Sequence, residues 1–369
     1  MDSALKEALL VVKTTAPQYF KEATDHTVRS RPLLKMLQQT GNLMFNMRAT
    51  KFVWPILVRE PKVRVVDGGS RTVFDQTDAY ENLEIDHAEL EATDSLGRRA
   101  QMINAQSPQQ IVDIIGGKMD QLVRTMSRRI GAEFYVDNSS GVNVNRMTGI
   151  QSFIKASGAA TDQVAYPSSG ATYGGKSIEL ANLGGQWSND LGVGNYPNAT
   201  VATDWPLGSG SAEYDYNSPK MLNYNADYNG DSGWSDNCLK LMRRMTEVIK
   251  RTSGEGSGPT VHILGQRLLN EFKDKIETRE RNYISDYSKS MGFPSMMTYE
   301  NAVVMTDFDC PSSKGFAINP SEMALYSVHS DLFFTDEDWA SLEQRSVMLC
   351  GFLGNWVHKP KCTGAYVGL

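Results

Sequence analysis

The stretch SPQQIVDIIGGKMD, at residues 107–120, constrains the fold more than any other part of the chain. Ser107 is a good N-cap, Pro108 suits the first helical position and Gln110 the third, so a helix start with a capping-box flavour is expected there. Behind it Ile111, Ile115, Met119, Leu122, Met126, Ile130 and Phe134 recur at three- and four-residue steps and draw one apolar stripe. The stripe runs through roughly 25 residues. At 1.5 Å per residue the stripe extends on the order of 40 Å, long for a globular domain. Gly116 and Gly117 sit inside it. Each costs about 1 kcal/mol relative to Ala in a helix interior. Two explanations stand: a place where the helix bends, or close packing against a neighbouring backbone.

Ahead of this helix, from Phe52 to about Leu90, the chain is β-prone: FVWPILV, then VRVVDGGSRTVF, then LEIDHAEL. Asp67-Gly68-Gly69-Ser70 between Val-rich runs is a strong hairpin signal. Val63 and Val65 alternate with Arg64, and Thr72 and Phe74 with Val73, so neither face of the ribbon is wholly apolar. A lone hairpin is marginal in water, and this one needs a surface from the rest of its chain or from another copy. Pro55 restricts its own strand to an edge or a bulge.

Residues 2–13 place Leu5, Leu9 and Val12 at helical spacing, and Pro17 opens a second piece with Tyr19 and Phe20. The spacing fits either an arm or a helix folded onto its own domain. Residues 156–233 are rich in Gly, Ser, Asn, Asp and Tyr and predict turns and short strands. A second amphipathic helix is expected over Ser235 to Lys250, with Leu239, Met242, Met245 and Val248 on one side. TVHIL then reads as a buried strand, QRLLNEFKDKIETR as a helix, NAVVMTD as a strand, FAINPSEMALY as a strand pair, and the tail from Ser346 as β.

The chain has 369 residues, room for two or three domains, and 37 Lys+Arg against 43 Asp+Glu, a formal charge of -6. That balance argues against a reader of nucleic-acid sequence built on a basic face. The four cysteines, Cys238, Cys310, Cys350 and Cys362, lack the close pairing of a structural zinc site and read as buried free thiols. The N-terminus carries neither a secretory signal nor a membrane span.

Several motifs invite chemistry. GDSGW at 230–234 resembles the nucleophile loop of trypsin-like proteases, but only His26 and His87 lie upstream, and neither has the setting of a catalytic base. GEGSGPT at 254–260 follows a helix and lacks the Lys-Ser/Thr ending of a phosphate loop, so it reads as a helix-to-strand connector. Asp336, Glu337 and Asp338 lack the ligand alternation of an ion loop and read as a solvated turn. Arg124, Arg128 and Arg129 on the long helix suit water, a neighbouring Glu or phosphate. No combination supplies a nucleophile, a base and an oxyanion site. No catalytic, cofactor-binding or metal-binding residue is assigned.

The segment RRIGAEFYVDNSSGVNVNRMTGIQSFI, followed in order by ATYGGKSIELANLGGQW, PTVHILGQRLLNEF and NAVVMTDFDCPSSKGFAINPSEMALY, resembles the major capsid proteins of tailed bacteriophages, the Hong Kong 97-type fold. In that family a long helix ends in a Phe-Tyr/Phe-x-Asp segment, then a Gly/Asn loop and a Gly-Ile/Leu-Gln strand. The resemblance implies an α+β fold with an N-terminal arm at 1–50 and an extended β-hairpin loop at 51–90. A peripheral domain follows at 91–144 with its spine helix from Ser107 to about Asp137, and an axial domain at 145–330 carries a Gly/Asn-rich insertion near 158–233. Residues 331–369 return to the peripheral domain.

It further implies a subunit that forms hexamers and pentamers of an icosahedral shell around double-stranded phage DNA. Lys62, Arg64, Val65, Asp67, Gly68, Gly69, Arg71 and Phe74 become candidates for contacts between subunits, and Gly116 and Gly117 for a hinge in the spine helix. The implied partners are other copies of the chain, a separate scaffolding protein, a portal, DNA held without sequence-specific contact, and a decoration protein. No membrane and no cofactor is implied. The implied location is the virion, assembled in the cytoplasm of a bacterial host. Two other readings are an encapsulin-like nanocompartment and a serine hydrolase using Ser232 with His262 as base.

Overall fold

The structure is a computed structural model that describes residues 32–57, 80–97, 108–139, 141–155, 172–178, 219–225, 232–253, 256, 258–277, 297–340 and 345–368. In chain order the elements are α1 (Pro32–Thr40), β1 (Leu43–Met44), β2 (Phe52–Leu57), β3 (Tyr80–Ile85), β4 (Ala88–Gly97) and α2 (Pro108–Glu133). Then come β5 (Thr172–Tyr173), β6 (Lys176–Ser177), β7 (Lys220–Asn223), α3 (Trp234–Ser253), β8 (Val261–Leu264) and α4 (Gln266–Glu277). The chain closes with β9 (Met297–Tyr299), β10 (Ala302–Thr306), β11 (Gly315–Ile318), β12 (Met323–Ser327), β13 (Phe334–Ala340), β14 (Arg345–His358) and β15 (Gly364–Val367). Two compact units result, 1–50 with 87–149 and 324–357, and 51–86 with 150–323 and 358–369.

The first unit is organised by α2 and a five-stranded sheet in which β14 pairs with β4 on one flank and with β13 and β12 on the other. Ile115, Met119, Leu122, Val123, Met126 and Ile130 are buried, so the stripe expected from the sequence is the packed face of α2. Lys118 on α2 donates to Asp94 of β4 at 2.7 Å, which fixes the sheet face that meets the helix. The α-helix stops at Glu133 rather than near Asp137, because Tyr135 and Val136 turn back to the carbonyls of Ala132 and Glu133. The helix α1 was not foreseen: Leu33, Leu34, Met36 and Leu37 are buried and give the end of the presumed arm a core role.

The second unit holds a six-stranded mixed sheet in the order β7-β15-β11-β8-β10-β9. The α3 and α4 helices pack on it, with the Trp234 indole N–H donating to Leu268 carbonyl at 2.8 Å. All four residues of β8 are buried, as a continuous apolar run in a central strand requires. Its one polar member, His262, meets the Tyr366 hydroxyl at 3.1 Å. A Gly364 Cβ would stand 2.3 Å from Met245 Sδ, so the glycine lets α3 press onto the sheet.

Several expectations are corrected. On α3 the buried row is Trp234, Cys238, Leu241, Met242, Met245 and Ile249, while Leu239 is only half-buried: the indole anchor at the helix start sets the phase. GIQSFI forms a 3-10 turn at Ile150–Ser152 instead of a strand. The strands within FAINPSEMALY do not pair with each other, because the capped turn at Pro320–Glu322 separates β11 in one sheet from β12 in the other. Asp336, Glu337 and Asp338 lie in β13, in register with Leu349, Met348 and Val347, because the long β14 ladder overrides their turn preference. The end of the expected insertion is core, since β7 pairs in parallel with β15. That pairing, with β11 on the other flank, also takes residues 364–367 away from the sheet holding α2.

Burial alone lowers the pKa of His262 to about 4 and of His358 to about 3. Both are neutral in the folded chain near neutral pH, whereas an unfolded chain protonates them below about pH 6.5. Stability contributed by their neutral forms is complete above that value and is lost as pH falls toward 3–4. Denaturation midpoints taken between pH 7 and pH 4 should therefore decline, by up to about 1.4 kcal/mol per pH unit for each histidine. His262→Phe should flatten that slope, and an unchanged slope would refute the assignment.

Candidate assembly surfaces

The strands β2 and β3 form an antiparallel two-stranded ribbon whose register pairs Phe52 with Ile85 and Trp54 with Leu83. Directly opposed residues share a face, so these four form the ribbon's apolar side. Leu83 and Ile85 are buried, and the backbone N–H of Glu84 donates to Gly174 carbonyl at 3.1 Å. Gly174 and Gly175 both have positive φ, the requirement of the tight turn joining β5 to β6, and a Gly174 Cβ would approach Leu83 to 3.0 Å. Lys359 lies over the Trp54 ring at 4.9 Å, and Lys51 reaches Glu84 and Asp86 on the polar side. The base of the ribbon is thus seated on its own unit. Pro55 is accommodated because each of the two strands is an edge.

Val53 and Tyr80 lie on the ribbon's other face and are 48% and 70% exposed. The candidates Lys62, Arg64, Val65, Asp67, Gly68, Gly69, Arg71 and Phe74 lie outside the described residues, as do the helices expected at 2–13 and from Pro17.

Gly116 and Gly117 both fall within α2. Gly117 is exposed, and nothing described stands within 4 Å of where its Cβ would be. Close packing inside this chain therefore does not explain Gly117. Gly117→Ala should raise the stability of the unassembled subunit by about 0.5–1 kcal/mol in chemical denaturation, the ordinary gain in an unobstructed helix interior. A loss would mean that the glycine is needed by the fold.

The helix end carries a network that the spacing did not signal. Glu133 is fully buried, accepts from Arg129 on its own helix at 2.7 Å, and accepts from Arg146 Nε and Nη2 at 3.0 and 2.9 Å. Arg146 also donates to Asn143 Oδ1, Asn138 to Thr148, and the Thr148 backbone to Asn355 Oδ1. Gly149 has no room for a side chain, with the Glu133 and Val136 carbonyls 2.5 Å from its Cβ position. The loop after α2 is therefore pinned, and it holds Val142 and Val144 out to solvent. Arg124 pairs with Asp120 one turn away, so much of the cationic face is matched within the helix.

The tempting motifs stay apart. Ser232 is exposed just before α3, whereas His262 is buried with its Nδ1 engaged by Tyr366. His87 bonds Tyr326 hydroxyl and Ala49 carbonyl instead of a serine. All four cysteines are free and buried; burial raises the Cys238 thiol to about 11 and Cys350 to about 12, and pushes Cys310 up as well. Among the described residues no group of three or more potential ligands could hold a metal ion. Nor is any described helix long and apolar enough to cross a membrane.

No protein-family model and no curated protein matches the sequence. Among solved structures, the chain is similar to the capsid asymmetric unit of cyanophage A-1(L), with a TM-score of 0.56 and 11% identity over 91% of this chain and 92% of that one. It is also similar to the capsid of a native GTA particle, with a TM-score of 0.52 and 10% identity over 90% and 91% of the two chains. These likenesses place the chain in the Hong Kong 97-type capsid fold, α+β as expected.

Proposed function

We propose that this chain is a major capsid protein of a tailed bacteriophage, self-assembling into hexamers and pentamers of an icosahedral shell that encloses double-stranded DNA. The observation that carries this reading is the likeness to capsid structures over about nine-tenths of both chains. Its role is structural rather than enzymatic. The negative net charge fits a container in which duplex must slide rather than stick through counterion release. A separate scaffolding protein, a portal and a decoration protein complete the assembly, which takes place in the host cytoplasm before the subunit becomes part of the virion.

Expression of the chain followed by sedimentation and electron microscopy should yield closed particles at megadaltons. A chain that stays monomeric at high concentration, with and without its scaffolding partner, would remove the reading. Particles filled with a protein cargo would turn it toward a nanocompartment.

Within this reading Gly116 and Gly117 serve as the hinge of the spine helix, lowering the cost of bending while the shell expands. The double replacement by Ala should slow expansion, and unchanged expansion kinetics would remove the hinge.

A further inference from the structure

The solvent face of α2 carries a charge pattern that packing does not account for. Within residues 115–133 its exposed positions are Gly117, Gln121, Arg124, Thr125, Arg128 and Arg129, a strip without an exposed carboxylate. The two acids of that span border the strip and are occupied: Asp120 takes Arg124 at 2.8 Å, and Glu133 is fully buried between Arg129 and Arg146. One carboxylate shared by two guanidinium groups leaves a positive charge over at the helix end. Among the described residues Arg128 meets no carboxylate. Thr125 Oγ1 donates back to the Gln121 carbonyl and Gly117 has no side chain, so the guanidinium groups stand above a low surface.

The other side of the same unit has the opposite sign. Asp94 of β4 bonds Lys118 of α2, so its face of the sheet is the one against the helix. Side chains alternate along a strand, and Glu89 and Glu91 therefore project from the far face. Asp336 of β13 joins them, because it stands opposite Leu349, which Thr93 of β4 flanks on the other side. All three carboxylates are exposed. A surface that only has to meet water mixes both signs, whereas here they are sorted onto opposite sides.

We infer that the strip of Arg124, Arg128 and Arg129 lies against the phosphate backbone of duplex DNA, with the acidic side of the unit turned away from it. This rests on the shell reading above and names the wall surface that meets the contents. Arginine suits the task, since its planar fork offers paired N–H donors to phosphate oxygens. From Gly117 to Arg129 the strip spans about 18 Å, over which a duplex presents on the order of ten phosphates. Three arginines, one already matched by Asp120, neutralise only a few of these. The contact is therefore weak in each copy and lost in salt, as contents that must move require. The acidic side of a second copy fits the strip less well, because helix side on sheet side repeats in one direction and builds an open stack rather than a closed shell.

A labelled random-sequence duplex should bind the unassembled subunit at low salt, with log affinity falling against log salt at a slope of about −2 to −3. Arg124→Gln with Arg128→Gln should weaken binding about tenfold and reduce that slope by about 2. Glu91→Gln with Asp336→Asn, on the other side, should change affinity by less than about twofold at 0.1 M salt, where screening acts over about 10 Å. No binding at low salt, or an unchanged slope in the arginine variant while circular dichroism stays native, overturns the inference. In particles the native cysteines are buried, so a maleimide reads an introduced thiol. Labelling of Arg128→Cys should be about fivefold slower in DNA-filled particles than in emptied ones, and that of Asp336→Cys alike in both. Equally fast labelling of Arg128→Cys in both overturns the inference, and equally slow labelling overturns it by assigning the strip to another copy of the chain. The particles themselves then still stand for the shell reading, whereas a chain that forms none defeats that reading.

Discussion

Glu133→Gln should lower the stability of the unassembled subunit by about 2–4 kcal/mol, the range for breaking charge-assisted hydrogen bonds around a buried carboxylate. The carboxylate is fully buried and meets three N–H groups from two guanidinium groups, the Arg146 Nε shared between both of its oxygens, so a neutral amide leaves both cations without a counter-charge. The loss stays below the largest values for buried pairs because Arg129 and Arg146 still reach water, at 51% and 29% side-chain exposure. The two arginines should not be equal. Arg146→Ala removes two of the three N–H groups and releases Asn143, so it should cost more than Arg129→Ala, whose effect should stay near 1 kcal/mol. Equal small effects for all three variants, measured by urea denaturation, would show that the network holds nothing.

Trp356→Ala should be the more damaging change, at about 3–5 kcal/mol, the usual cost of emptying a buried tryptophan site. Trp356 is wholly buried in β14, and its ring meets Phe134 edge-to-face at a centroid distance of 5.1 Å. Phe134 in turn meets Tyr135 edge-to-face at 4.9 Å, where α2 has just ended. Loss of the indole leaves a cavity between helix end and sheet that neither backbone can close. Trp356 and Phe134 touch, so the double replacement by Ala should cost less than the sum of the single ones by about 0.5–1.5 kcal/mol. Strict additivity in the same measurement would mean that the rings do not share one site.

Both residues illustrate what was legible in advance. Phe134 closes the apolar stripe of the sequence, and its burial follows from helical spacing alone. Glu133, one position earlier, reads as one more solvated charge on a polar face. Its burial depends on Arg146, thirteen residues onward, curling back to it. No local rule anticipates that return. On α3 the expected Met242 and Met245 are buried while Leu239 is not, for a similar reason: the Trp234 indole anchors the helix start, and its partner Leu268 belongs to another helix. The acidic run in β13 was misread for a different reason. Its residues prefer turns, and only pairing with β14 makes a strand of them.

By itself the sequence determined the long helix and its packed face, the central buried strand at 261–264, the proline that confines its strand of the ribbon to an edge, and an order of elements that resembles a shell subunit. Those features arise from residues close together in the chain, where periodicity and backbone preference act directly. The tertiary structure decided which strands become neighbours: β11 and β12 parted into different sheets, β7 joined β15, and β4 and β13 came to flank β14. Glu89 and Glu91 of β4 and Asp336 of β13, from two well-separated stretches, thereby come to flank the one strand β14. Strand partners are chosen by burial summed over the whole fold, and that sum is not written in any single window of the chain.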